Sequence, residues 1–184
     1  MHLNSFDLQP DIVTQVFNHL MFLVGSPLND LKYFSMQALG NLCIRHYNFM
    51  LESELKNVYQ QLLSESTIEE RLKVQALNNI QLYLTEEELR MIKQDQEWNK
   101  IGKLENIKEM GDVTSGMAST IVQIYLKQIL EAFLNSAIGV RLAAVRVIQL
   151  VLQQGLVHPI QVSLSTDICS VFVPKQYFMA SVFD

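Results

Sequence analysis

Cys43 and His46 stand three residues apart on one helical face, and a thiolate with an imidazole is a possible pair of metal ligands. The other histidines, His2, His19 and His158, with Cys169, supply no second pair to complete a site. A buried cysteine near an exposed histidine is the simpler expectation. Glu86-Glu87-Glu88 reads as a charged helix end, not as two carboxylates held at working distance. Gly111, Gly116 and the polar residues between them suggest a phosphate loop, but there is no Gly-Lys-Ser/Thr and no strand signal precedes them. The start of a helix explains them better. No Ser–His–Asp arrangement can be argued from spacing. The expectation is therefore a protein that is not an enzyme, with no catalytic residue, no metal and no cofactor.

The composition narrows what can position such residues. Hydrophobic residues make up 49% of the 184 and charged residues 18%, which describes a chain that buries much of itself. Only 7 Gly and 4 Pro leave few tight turns, so an all-β fold is disfavoured. With 14 basic and 19 acidic residues the net charge is −5, so any DNA contact must come from a local patch rather than bulk charge. Two cysteines build no disulfide framework and suit a reducing compartment. The first eleven residues lack a signal peptide's basic flank and apolar core, and no apolar run approaches a membrane span. A soluble, intracellular, mainly helical chain is expected, without membrane contact.

Three segments share a pattern: Phe34 to Leu42, Leu72 to Ile80, and Val140 to Ile148. Each begins apolar, carries Ala at its fifth position (Ala38, Ala76, Ala144) with an aliphatic residue next, and ends in a large aliphatic. Apolar residues at i, i+4, i+5 and i+8 share one helix face, and the central Ala lets a neighbouring helix come close. An amphipathic helix precedes each copy: about Asp11 to Val24, stopped by Gly25-Ser26-Pro27; about Glu52 to Leu63; and a third on the stripe Val122, Tyr125, Leu126, Ile129, Leu130 and Phe133, capped by Thr114 or Ser115. A hairpin of about 40 residues cannot bury its apolar faces alone, whereas three side by side can. The predicted fold is all-α, an α-α superhelix of stacked HEAT- or armadillo-like hairpins, with repeats at 11–50, 52–85 and 112–156 inside 1–161.

Between the second and third repeats, 86–111 is a charged insertion that carries more than a third of the chain's charges. It is expected to be a solvated helical extension rather than a dedicated binding arm. After Pro159 the helical period is lost, and 162–184 is expected to be disordered or to pack back irregularly.

For binding, Lys73 and Arg141 occupy the same position in repeats two and three. With Arg71, Lys32, Arg45 and Arg146 they would form a basic stripe that meets phosphates or an acidic partner. The plainer expectation is that the two brace their repeats by pairing with carboxylates or helix-end carbonyls. Trp98, in the insertion, is a better partner hot spot than Tyr125, which belongs to the apolar stripe. A peptide-binding adapter of the importin type would want Asn and Trp at repeated positions. Asn41 and Asn79 recur, but Val147 replaces them in the third repeat and no Trp accompanies them.

Lys108-Glu109-Met110-Gly111-Asp112-Val113, Ser115-Gly116-Met117, Tyr125-Leu126-Lys127-Gln128, Leu130-Glu131-Ala132-Phe133, Val140-Arg141 and Gln154-Gly155-Leu156 with His158-Pro159 resemble the C-terminal HEAT region of the Nipped-B-type cohesin loaders. Leu72-Lys73-Val74-Gln75 and Tyr83-Leu84 with the acidic run after them do so too. The likeness is densest from about Arg71 to Gln161. It implies a hook-shaped stack of helical repeats in a large nuclear protein that engages cohesin and duplex DNA, stimulates cohesin's ATPase and has no catalytic site of its own. The loader's partner subunit, bound through the far N-terminal region, would not be held by this segment. This chain is much shorter than such proteins and departs from them beyond Gln161, so a fragment or partial gene product is expected.

Overall fold

A computed structural model of the chain describes residues 10–101 and 108–158, with side chains over 12–94, 96 and 116–158. The expectations for 162–184 lie outside the described residues. Among the described residues six α-helices follow one another: α1 (Pro10–Val24), α2 (Asn29–Arg45), α3 (Ser53–Ser64), α4 (Glu70–Ile101), α5 (Lys108–Phe133) and α6 (Ile138–Gln153). A short 3-10 turn, Tyr47–Leu51, joins α2 to α3. Among the described residues there is no strand, and no helix is long and apolar enough to cross a membrane.

The helices pair as hairpins α1–α2, α3–α4 and α5–α6, and the hairpins stack in two layers. α4 lies between α2 and α6, while α3 packs on α5. One continuous apolar core runs through all three, from Phe17, Met36 and Leu39, past Leu77, Ile80 and Leu84, to Ile121, Ile129 and Val147. This is the all-α, HEAT-like architecture predicted from the repeats, and it arises because each helix has apolar residues on more than one neighbouring face.

Packing departs from the expected pattern at the first hairpin. Ala76 and Ala144 are buried, as a close approach requires, but Ala38 is only half-buried. A close approach of α2 to α4 falls at Gly40 instead, where a methyl group would run into the Asn79 carboxamide. The start of α5 also differs. The helix already includes Lys108, so Thr114 and Ser115 lie within it rather than at its start. The helix tolerates such hydroxyl residues where they bond to their own backbone, as Thr120 does by donating to the Gly116 carbonyl at 2.8 Å.

Termination follows local chemistry. Two residues past the end of α6 stands Gly155, whose φ of 64° is a left-handed conformation natural to glycine. The Leu156 N–H then returns to the Val151 carbonyl at 3.0 Å, closing a Schellman-type end. At the other end of α6, the Asn135 carboxamide oxygen accepts from the Ala137 N–H at 2.9 Å and sets the turn that leads into the helix.

Candidate functional site

Lys73 and Arg141 occupy equivalent places, one turn into α4 and α6, and they do equivalent things. The Lys73 ammonium donates to the Glu65 carbonyl just past the end of α3. The Arg141 guanidinium donates to the carbonyls of Asn135 and Ser136, at 2.8 and 2.7 Å, in the α5–α6 turn. The last carbonyls of a helix have no partner within it, and a cation there also complements the helix dipole. Each of these residues thus closes its own hairpin from within. Lys73 is only 3% exposed, so its charge is turned inward.

Arg71 points the other way, between hairpins. It is 2.9 Å from the Asp30 carboxylate of α2, and its guanidinium lies 3.7 Å from the centre of the Tyr33 ring. Phe34 is more distant at 5.8 Å and stands largely exposed. Arg71 and Tyr33, with Glu69, Glu70, Val74, Gln75 and Asn78, line a hollow of about 400 Å³ where α4 begins beside α2. The pair is open to solvent, with the Asp30 side chain 83% exposed, and the Tyr33 face adds a cation–π contact to it. Sequence reasoning named Arg71 but not Asp30, Tyr33 or Phe34. The available signal was an acid and two aromatics within one and a half turns of α2.

The remaining predicted cations do not join a single stripe. Lys32 is half-buried, whereas Arg45 and Arg146 are exposed and make no ion pair among the described residues. Trp98 lies on α4, with its side chain outside the described residues. Asn41 is exposed and Asn79 buried, so the two do not line one surface.

Asn79 belongs instead to a polar network inside the stack. Its amide nitrogen donates to the Met36 carbonyl at 2.8 Å and to the Tyr59 hydroxyl at 2.7 Å, and its oxygen accepts from Gln75 at 2.7 Å. Tyr125 donates to the Met50 carbonyl at 2.9 Å, with its ring 5.8 Å from that of Tyr59. Burial pushes both phenols above their ordinary range. A second buried polar group sits further along α4. The Glu87 carboxylate lies 3.0 Å from Arg90, which also donates to the Ile44 carbonyl at the end of α2 at 2.6 Å. Burial raises the Glu87 carboxyl pKa, and Arg90 opposes the shift.

Cys43 is buried, with its thiol pushed up to about 12 by desolvation, while His46 is exposed. Among the described residues no three His, Cys, Asp or Glu side chains are grouped to hold a metal ion. What the structure offers is surface. Ile12, Val16, Phe22, Leu28 and Phe34 are exposed on the first hairpin, and Leu134, Ile138, Leu142 and Leu152 on the third.

Comparison with known proteins places this arrangement. Residues 118–168, which hold most of α5 and all of α6, match the family described as Sister chromatid cohesion C-terminus. The chain is 44% identical over 165 residues to the Nipped-B protein of Drosophila melanogaster, covering 87% of this chain and 8% of that protein. It is 42% identical over 162 residues to the Nipped-B-like protein of Homo sapiens, covering 85% and 6%. With the Nipped-B-like protein scc-2 of Caenorhabditis elegans the identity is 31% over 147 residues, covering 79% and 7%. Along most of its length this chain is similar to Nipped-B-type proteins, and it spans less than a tenth of the length of the relatives it matches.

Proposed function

We propose that the chain acts as a non-catalytic scaffold segment of a cohesin loader, working in the nucleus by contact with cohesin subunits and chromatin to promote sister chromatid cohesion. The observation that carries this reading is the match of the third hairpin to a family described by its part in sister chromatid cohesion. The fold suits the role. Stacked hairpins with one shared core make a stiff curved surface, able to favour one conformation of a bound ATPase without supplying a catalytic group.

The distribution of charge favours protein over DNA as the principal partner of this segment. Lys73, Arg141, Arg71 and Arg90 are engaged within the molecule, so among the described residues the exposed candidates for phosphate contact include Arg45, Arg146 and Lys93. Contact with duplex DNA is then sequence-independent and salt-sensitive. The loader's other subunit is bound elsewhere. The test is capture of purified cohesin subunits by the tagged full chain, with and without nuclease. Capture that survives nuclease treatment is expected. Failure to capture any cohesin subunit, in protein that retains its helicity, would overturn the reading.

A further inference from the structure

We propose that the starts of α2, α4 and α6 form one recognition surface for an extended segment of a partner protein, with a basic side chain at its centre and an apolar one on each side. α4 lies between α2 and α6, and two contacts set their first turns in a row. The Arg71 guanidinium stands 5.8 Å from the centre of the Phe34 ring on α2. Towards α6, the Glu70 carboxylate occupies the place that a side chain at Gly139 would take. The hollow of about 400 Å³ at the start of α4 lies within this row, with Val74 and Asn78 in its wall.

The chemistry of the row selects its occupant. Its two ends are apolar and open to solvent, Phe34 at 58% and Ile138 at 65%. Its middle is acidic, with Asp30, Glu69 and Glu70 set against the guanidinium of Arg71. Arg141 is turned to the Asn135 and Ser136 carbonyls, and Lys32 falls on the opposite side of α2 from Phe34. Asp30 meets Arg71 through one oxygen in an exposed, weakly held pair, so its carboxylate has room for a second donor. A lysine or arginine entering the hollow gains the exposed carboxylates of Asp30 and Glu69 and an aromatic face at Phe34. A phosphate chain meets a surplus of its own charge there. Packed helices lie about 8–10 Å apart, which separates Phe34 from Ile138 by roughly 16–20 Å. About five or six extended residues, at roughly 3.3 Å each, cover that distance. A peptide group laid across it finds a donor and an acceptor in the Asn78 carboxamide. Such a segment need not belong to cohesin, and failure to capture cohesin leaves this surface in place.

The tagged full chain is panned against a fully randomised library of short peptides, in parallel with the double variant Asp30→Asn/Glu69→Gln. The native chain is expected to enrich a lysine or arginine with a large apolar residue two or three positions away on each side. The double variant, altered only at exposed positions, is expected to lose that enrichment. A fluorescein-labelled peptide of the enriched sequence should then bind the native chain roughly tenfold more tightly than it binds the double variant or Phe34→Ser, by anisotropy at low salt. Should a variant lose helicity, the native chain decides alone: the same peptide with glutamate in place of its basic residue must bind at least as much more weakly. No enrichment by the native chain, enrichment of acidic residues, or a basic consensus retained by the folded double variant overturns the proposal.

Discussion

Asn79 of α4 and Tyr59 of α3 are joined by a 2.7 Å hydrogen bond in the buried centre of the stack. Because the same amide also reaches the Met36 carbonyl, one side chain ties together helices of two hairpins. Asn79→Ala would remove the bonds to the Tyr59 hydroxyl and the Gln75 amide in the buried centre, and the second donor to the Met36 carbonyl. The expected loss is about 2–3 kcal/mol, seen as a lower urea midpoint at unchanged slope.

Gly40 supplies the space that Asn79 fills, so the two positions are coupled. Gly40→Ala should cost about 1–3 kcal/mol by overpacking. In an Asn79→Ala background the obstructing carboxamide is gone, and the same change should cost far less. A double-mutant cycle measures this directly, and simple additivity would rule out the contact.

The inward use of Lys73 separates it from Arg45 and Arg146. Lys73→Met should lower stability by about 1–2 kcal/mol, because the Glu65 carbonyl loses its donor. It should leave DNA affinity untouched. Arg45→Glu with Arg146→Glu should do the opposite, reducing the slope of log affinity against log salt by roughly 2. Anisotropy titrations of labelled duplex over a salt series distinguish the two outcomes.

Glu87 makes stability depend on pH in an unusual direction. Burial raises its carboxyl above the ordinary 4.5, so the folded state holds that proton more tightly than the unfolded chain. Its contribution to stability is therefore full below the unfolded value and is lost as pH rises through the raised folded one. Relative to native protein, Glu87→Gln should gain stability as pH climbs through the carboxylate range. Paired denaturation curves at pH 4 and pH 7 give the comparison, and a constant difference would refute it.

Cys43 should resist alkylation at pH 8 while the chain is folded, since its thiol is buried and pushed up to about 12. Its labelling should appear only as denaturant unfolds α2. Peptide mapping assigns it separately from Cys169.

How much of this was legible in the sequence depends on whether a feature is periodic. The hairpins declared themselves through repeated apolar spacing, and the bracing role of Lys73 and Arg141 through their shared position. Asn79 did not. A single polar residue at a core position looks like a surface residue until Tyr59 and Met36, far away in sequence, are brought beside it. Arg71 was visible as a charge, but its setting against Asp30 and Tyr33 depends on the angle between two hairpins. The start of α5 was misplaced because Thr114 and Ser115 have the chemistry of a cap, and the helix carries them in its interior.

Glu88 and Arg90 bond α4 to Gln154, at the end of α6, and to the Ile44 carbonyl of α2, and α4 continues to Ile101. Those further eleven residues carry the helix roughly 16 Å onward. Before that point Arg90 ties α4 to the far end of α2 and Glu88 ties it to the residue that ends α6, so the middle of one helix fixes the ends of both its neighbours.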